Sequence, residues 1–287
     1  MKIALITNFN IYDKANAALR VAEELLAIGG VEVLFQSVNK DRIFRMHKNH
    51  REYSYVSPDE IYAAADVIIV LGGDGSILDA ARRAAPLDKP LLGINMGHLG
   101  YMTELEMGEI SQLSRLVAGD YEIDVRSMLS VSVVTERGVR NETFALNDIV
   151  ISNGSISRVI DLEMYEAGAL VSAYRADGII VSTPTGSTAY SMSAGGPIID
   201  PKLASLCVTP ICPHSLTTRP MLFRDDAVLE IKNVCQREKM LFLTVDGRQN
   251  IEVYRGDIVR VTRSPISTRL IHLHPSGFYT RLHQKMN

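Results

Sequence analysis

Residues 68–78 read Ile-Ile-Val-Leu-Gly-Gly-Asp-Gly-Ser-Ile-Leu. The apolar run at the start predicts a strand buried on both faces, as in parallel sheets. A helical pattern follows from Ser76, so the glycines predict a tight turn from strand to helix. The N–H groups that open a helix lack intrahelical partners and carry partial positive charge. The turn is therefore a candidate site for a phosphate group.

Asp74 lies among these glycines, and the turn differs from two common phosphate-binding patterns. No lysine precedes Ser76, as a P-loop requires, and the Gly-x-Gly-x-x-Gly spacing of dinucleotide-binding folds is absent. A carboxylate repels a polyphosphate, so Asp74 is expected to have another task. It can accept a proton from a hydroxyl nucleophile, hold Mg²⁺, or be a solvated turn residue without a function.

Composition narrows the class of protein. A chain of 287 residues with 46% hydrophobic residues predicts one large or two medium domains with a sizeable core. A net charge of −3 argues against a nucleic-acid partner, whereas a small anionic substrate needs only local positive charge. Cys207, Cys212 and Cys235 form no Cys-x-x-Cys pair, which favours a reduced, cytoplasmic protein without structural zinc. No apolar run approaches the ~18–20 residues of a membrane span, so no membrane association is expected.

The periodicity of the sequence changes near Tyr121. Before it, strands and helices alternate, which predicts an α/β domain with a doubly wound, mostly parallel sheet over residues 1–121. After it, short alternating runs predict a mostly antiparallel β domain over residues 122–263. Within the first domain, the basic segment Asp41–Tyr55 predicts a solvated loop or a lid over an anionic ligand.

The β region carries three polar clusters. Asn147-Asp148 offers an amide that matches the edge of adenine and a carboxylate that accepts from ribose hydroxyls, although it is also a common turn pair. Residues 177–197 run from a strand into a hydroxyl-rich turn and a short helix. That turn suits a base, a ribose or a phosphate, or its hydroxyls merely cap the helix. Val245–Arg248 is explained as a turn between two strands.

Taken together, these stretches resemble the NAD kinase family, of the bacterial type that uses ATP or polyphosphate. The Gly-Gly-Asp-Gly motif is shared with diacylglycerol and sphingosine kinases, whereas Thr-Pro-Thr-Gly-Ser-Thr-Ala-Tyr at 183–190 is far more specific. One departure is Asp148, where most members carry Glu. The resemblance runs nearly end to end and covers Gly72–Gly75, Gly93–Gly100, Asn147-Asp148, Asp177–Pro197 and Pro213–Leu216.

The resemblance implies a kinase that phosphorylates the 2′-hydroxyl of the adenosine ribose of NAD to give NADP. It implies that Asp74 is the catalytic base and that Gly72, Gly73 and Gly75 line the path of the phosphoryl donor. Mg²⁺ is expected to arrive with ATP, because no cage of metal ligands from the chain itself is apparent. The implied contacts to NAD are Asn147 and Asp148 at the adenosine end, Thr185, Thr188 and Tyr190 around the adenine, Asp177 on the nicotinamide side, and Tyr101 near the adenosine.

The resemblance also implies a homodimer or homotetramer, with residues from about 264 to 287 returning to the first domain. Two other functions stay open: a lipid kinase that shares the glycine-aspartate turn, and a dinucleotide sensor without activity. The residues do not distinguish ATP from polyphosphate, or NAD from NADH, and the effect of Arg175 near the nicotinamide is equally open.

Overall fold

The computed structural model describes residues 1–47, 52–97, 100–154, 159–236, 240–273 and 278–286. The chain divides into two compact units, Met1–Val125 together with Ser267–Asn287, and Arg126–Ile266. The C-terminal segment therefore belongs to the first unit, as the resemblance implied. The domain bounds expected near residues 121 and 264 stay a prediction, because compactness alone does not show that each unit is a domain that folds independently.

Strands in the first unit alternate with helices. Across the described residues of the whole chain, no helix is both long and apolar enough to pass through a membrane. The strands are β1 (Lys2–Ile6), β2 (Glu32–Gln36), β3 (Ser54–Val56), β4 (Val67–Leu71), β5 (Leu91–Asn95) and β6 (Leu105–Glu106). The helices are α1 (Tyr12–Ile28), α2 (Lys40–Met46), α3 (Ile61–Ala64), α4 (Asp74–Ala84), α5 (Leu113–Ala118) and, from the C-terminal segment, α7 (Phe278–Met286).

The sheet of this unit is parallel, which confirms the predicted class. Its strands lie in the order β3–β2–β1–β4–β5, and β6 also runs parallel to β5. Both β4 and β5 are completely buried, which explains their unbroken apolar sequences. A second glycine-rich turn, with Gly97 and Gly100, follows β5. Because β4 and β5 are parallel neighbours, this turn and the turn at Gly72–Gly75 emerge at the same edge of the sheet.

The prediction of a loop at Asp41–Tyr55 is wrong for most of its described part. Most of α2 and the start of β3 lie in it, and Ile43 is completely buried. Phe44 packs edge-on against Tyr55 with 5.9 Å between ring centroids, and the ammonium of Lys40 lies over both rings. Packing of these side chains outweighs the polar composition of the segment. Outside the described residues lie Lys48, His50 and Arg51, which the lid prediction also used.

The second unit is built from antiparallel strands, as predicted. The order β14–β13–β12–β9–β16–β17 forms one sheet, and β11–β10–β15–β18 forms the body of the other. Side chains from both sheets pack into one apolar core. The elements that lie wholly or mainly in this unit are β7 (Glu122–Thr135), β8 (Gly138–Ala145), β9 (Asp148–Ser152), β10 (Ile160–Glu166), β11 (Ala169–Ala176), β12 (Gly178–Ser182), β13 (Ser205–Ile211), β14 (Met221–Arg224), β15 (Leu229–Asn233), β16 (Met240–Val245), β17 (Gln249–Tyr254), β18 (Ile258–His272) and the helix α6 (Tyr190–Ser193).

Candidate active site

Asp74 is the first residue of α4, and Gly73 is the residue that caps the helix. A carboxylate at this position is favoured by the partial positive charge of the helix N-terminus. Its Oδ2 accepts a hydrogen bond from the backbone N–H of Tyr101 at 2.9 Å, and its Oδ1 accepts one from Met102 at 3.0 Å. The carboxylate is thereby fixed between the two glycine-rich turns. Each oxygen has a second lone pair, so Asp74 can still accept a proton.

The glycines around Asp74 are required for different reasons. A Cβ atom on Gly100 would lie 2.3 Å from Oδ1 of Asp74, and one on Gly72 would lie 2.2 Å from the Oγ of Ser76. Both positions are therefore glycine because the chain itself is close. A Cβ on Gly73 would meet nothing within 4 Å, and its φ of −98° suits any residue. Neither packing within the chain nor the backbone conformation requires glycine at position 73. A glycine at such a position is typical of a site where a ligand approaches the backbone closely.

A basic side chain that the sequence analysis missed lies beside Asp74. The Nζ of Lys285, from α7, is 3.8 Å from Oδ2 of Asp74 and 3.7 Å from the centroid of the Tyr101 ring. Burial, and then the charge of Asp74, raise the pKa of the Tyr101 phenol. The first unit thus places Tyr101, the glycines of the turn and Asp74 near one another, and Lys285 adds a local positive charge.

In the second unit, Asn147 and Asp148 are held by a residue far along the chain. The carboxylate of Asp246 accepts hydrogen bonds from the backbone N–H groups of Leu146 at 2.9 Å, Asn147 at 2.9 Å and Asp148 at 3.1 Å. Sequence reasoning missed this contribution, because it interpreted Val245–Arg248 as a plain turn. Asp246 has a φ of 46°, a left-handed conformation that aspartate tolerates better than most residues.

The side chains of Asn147 and Asp148 are poised for a ligand. Both residues are buried, and Oδ1 of Asn147 has no hydrogen-bond partner within the part of the chain that the structure describes. A buried acceptor without a partner is costly, and a bound donor removes that cost. Burial, and then the nearby charge of Asp246, raise the pKa of Asp148 from 3.8 to about 7. This carboxyl can therefore change its charge near neutral pH.

The hydroxyl-rich turn packs directly against this pair. A Cβ on Gly186 would lie 2.1 Å from the backbone oxygen of Asn147, so only glycine fits there. The hydroxyl of Thr183 donates to the backbone oxygen of Leu146 at 2.6 Å. The Asn147-Asp148 pair and the hydroxyl-rich turn, which are far apart in sequence, therefore pack against each other in the second unit.

Several hydroxyls of the turn serve the fold and not a ligand. Ser187 and Ser191 are completely buried. Ser187 donates to the oxygen of Pro184 at 2.7 Å and accepts from the N–H of Ile199 at 3.0 Å. Ser191 shares a hydrogen bond of 2.8 Å with Thr209. From the sequence, the hydroxyls of this turn could either bind a ligand or stabilise the fold; the hydrogen bonds of Ser187 and Ser191 stabilise the fold.

Thr185, Thr188 and Tyr190 lie closer to solvent than those serines. Their exposed fractions are 7%, 8% and 46%, respectively. The hydroxyl of Thr188 donates to the backbone oxygen of Thr185 at 3.3 Å. The guanidinium of Arg126, itself buried, donates to the hydroxyl of Thr185 at 3.2 Å. Arg126 orients this threonine, and no motif in the sequence indicated it.

Asp177 is not brought next to Asn147 and Asp148. It precedes β12, whereas Asp148 pairs with Ser182 at the other end of that strand. Five residues separate Asp177 from Ser182, so a rise of about 3.3 Å per residue places Asp177 roughly 16 Å from the position that pairs with Asp148. Asp177 and Arg175 are both exposed. Such a separation suits contacts with opposite ends of an extended ligand, or with different ligands.

The described residues contain no group of three or more His, Cys, Asp or Glu side chains that could hold a metal ion. A Mg²⁺ ion that enters on phosphate oxygens needs only one or two protein carboxylates. The donor set is therefore compatible with a cation delivered by a nucleotide.

Comparisons with known proteins show what the chain is similar to. The family models of the ATP-NAD kinase N-terminal and C-terminal domains match residues 3–121 and 146–273. An NAD kinase of Citrifermentans bemidjiense is 40% identical over 270 residues, covering 94% of this chain and 93% of that protein. An NAD kinase of Aromatoleum aromaticum is 36% identical over 286 residues, covering 99% and 93%.

Solved structures share the fold. The yeast NADH kinase complexed with NADH superposes with a TM-score of 0.90 at 24% identity, covering 100% of this chain and 87% of that one. An NAD kinase from Archaeoglobus fulgidus in complex with ATP superposes with a TM-score of 0.73 at 23% identity, covering 99% and 98%. Because family models match both units and relatives match nearly the whole length, the chain belongs to the NAD kinase family.

Proposed function

We propose that the protein transfers the γ-phosphoryl group of ATP to the 2′-hydroxyl of the adenosine ribose of NAD, giving NADP and ADP. Membership of the NAD kinase family supports this reaction. The observation that carries the proposal is the Asp74 carboxylate, which is fixed by two backbone N–H groups and still 27% exposed. Such a group is oriented for a substrate and accessible to it.

Asp74 is the proposed base. The 2′-oxygen forms a bond to the γ-phosphorus, and the bond from that phosphorus to the bridging oxygen breaks with its electron pair remaining on ADP. The hydroxyl proton passes to the carboxylate. Phosphoryl transfer in proteins is mostly positioning and charge stabilisation, so the proton is taken late, as the new bond forms. General-base assistance of this kind contributes ~10²–10⁴-fold to the rate.

Asn147 and Asp148 are the proposed residues for the adenosine end of NAD. The unpartnered Oδ1 of Asn147 suits the exocyclic amine of adenine, and its amide nitrogen suits the neighbouring ring acceptor. The carboxyl of Asp148 is proposed to meet a ribose hydroxyl. The further proposed contacts are Thr185, Thr188 and Tyr190 around the adenine, Tyr101 near the adenosine, and Asp177 at the nicotinamide side.

Gly73, with Gly72 and Gly75, is proposed to line the path of the phosphoryl donor. The space above Gly73 supports this role, because a Cβ there would meet nothing within 4 Å. Mg²⁺ or another divalent cation would accompany the donor and neutralise part of the charge on its phosphates. The chain's own part is to hold the phosphates near the backbone of the turn.

A homodimer or homotetramer in the cytoplasm is the proposed state of the protein. Family resemblance supports the oligomer, and three cysteines without a disulfide support a reducing compartment. Light scattering coupled to size exclusion tests the first point; a mass of one chain would contradict it.

A coupled assay tests the proposed function. Purified protein is incubated with NAD, ATP and Mg²⁺, and an NADP-specific dehydrogenase reports the product. Formation of NADP that depends on both substrates is expected, and replacing ATP by polyphosphate, or NAD by NADH, defines the preferred pair. No NADP with any pair would contradict the proposal. Calorimetry then separates the alternatives, because a dinucleotide sensor binds NAD and a lipid kinase does not.

A further inference from the structure

The C-terminal helix α7 is fixed to the segment that holds Asp74. Arg281 is 9% exposed, donates to the backbone oxygen of Thr103 at 2.8 Å and pairs with the carboxylate of Glu104. Glu104 also accepts from the backbone N–H of Leu273 at 2.8 Å. Thr103 and Glu104 directly follow Met102, whose N–H donates to Asp74. The helix is thus anchored within two residues of the contact that orients the proposed base.

Lys285 lies four residues after Arg281, so both side chains are on one face of α7, one turn apart. Its ammonium lies over the ring of Tyr101, 3.7 Å from the centroid, and 3.8 Å from Oδ2 of Asp74. Its side chain is nevertheless 33% exposed. The side chain therefore remains partly accessible to solvent while it makes these two contacts.

The fold does not need Lys285 in this place. Two backbone N–H groups already fix Asp74, and Arg281 already fixes the helix. A partly exposed ion pair and a partly exposed cation–π contact each add about 1 kcal/mol or less to stability. A compact ammonium beside a phosphoryl-transfer centre, in contrast, attracts the anionic donor and offsets the charge of its phosphates.

We propose that Lys285 is a further active-site residue, whose ammonium contacts the phosphates of the donor. When the donor enters, the ammonium exchanges its long contact with Asp74 for the phosphate oxygens, and the carboxylate is left to accept the hydroxyl proton. The C-terminal helix is then part of the donor site. This inference rests on the proposed function.

The test compares Lys285→Met, Lys285→Arg and the exposed control Lys202→Met in the coupled assay. For Lys285→Met we expect kcat/KM for ATP to fall by about 10²-fold, the order seen when one preorganised charge-stabilising donor is removed. The dissociation constant for NAD and the melting temperature are expected to stay at the wild-type values. Lys285→Arg, which keeps the charge, is expected to recover most of the loss. Lys202→Met is expected to behave as wild type.

The outcomes separate the two proposals. Wild-type protein that makes no NADP contradicts the proposed function itself. Active wild-type protein together with an unchanged kcat/KM for ATP in Lys285→Met overturns the inference alone. A loss in Lys285→Met that is matched by a lower melting temperature or weaker NAD binding assigns a structural role and also overturns it. Lack of recovery in Lys285→Arg would also overturn the inference, because a role that rests on charge is expected to persist when the charge is kept.

Discussion

Replacing Asp246 by asparagine tests how the adenosine end of the site is held. One oxygen of Asp246 accepts from both Asn147 and Asp148, and an asparagine oxygen can keep that role. The other oxygen accepts from the N–H of Leu146 at 2.9 Å, and an amide NH₂ cannot accept. Hydrogen bonds to charged groups contribute about 1.5–3 kcal/mol. We therefore expect the free energy of unfolding to fall by about 2 kcal/mol at pH 5.

The loss is predicted to shrink as the pH rises. Burial and the charge of Asp246 raise the pKa of Asp148 from 3.8 to about 7. An acid with a raised pKa stabilises the folded state fully below its unfolded pKa, and that contribution disappears as the pH rises through the folded pKa. The full shift corresponds to at most about 4 kcal/mol. The charge of Asp246 is the smaller of the two causes of this shift. Removing that charge therefore raises the free energy of unfolding at pH 8 by less than about 2 kcal/mol, which offsets part of the loss from the broken hydrogen bond.

Urea unfolding followed by far-UV circular dichroism measures both effects. The wild type, Asp246→Asn, Asp148→Asn and the double variant are compared at pH 5 and pH 8. The destabilisation by Asp246→Asn should be smaller at pH 8, and this pH dependence should vanish in the double variant. An equal or larger destabilisation at pH 8 would refute the coupling of the two carboxyl groups.

Three further changes separate roles in binding from roles in folding. Gly73→Ala should leave the free energy of unfolding unchanged and raise the KM for ATP, because a Cβ there meets nothing in the chain. Gly72→Ala should lower the free energy of unfolding by about 1–3 kcal/mol, because its Cβ would clash with Ser76. Urea unfolding and steady-state kinetics check the pair, and a destabilised Gly73→Ala with normal KM would contradict the ligand role. Arg126→Met should weaken NAD binding about tenfold in calorimetry, because the hydroxyl of Thr185 loses a donor worth about 1–1.5 kcal/mol. Unchanged affinity would contradict the role of Arg126 in orienting Thr185 for NAD.

Sequence periodicity predicted most of the fold because the core strands are regular. The apolar run of β4 and the alternating runs of β16 correspond to strands buried on two faces and on one face. The strand β13 was not predicted, since Pro210 and polar residues interrupt its pattern, although its neighbours in the sheet bury most of it. The helix α2 was missed for a related reason: its stability comes from packing of Ile43 and Phe44, which local polarity conceals.

The candidate site was predictable where a motif is contiguous. The turn at Asp74 and the pair Asn147-Asp148 are visible as local patterns. Lys285 and Asp246 are not, because each acts on a residue far away in sequence, and a basic helix end or an Asp-Gly turn is common in proteins. The only local hint of Lys285 is the basic pair at positions 281 and 285, one helical turn apart.

The turnover of Asp74→Asn tests the proposed base most directly. Asparagine keeps the size of the side chain but cannot take the proton of the ribose hydroxyl. We predict that kcat falls by ~10²–10⁴-fold, while the dissociation constant for NAD stays at the wild-type value. The melting temperature is expected to fall moderately, because an amide NH₂ cannot accept one of the two backbone N–H groups that the carboxylate holds. Near-normal turnover in this variant would contradict the account.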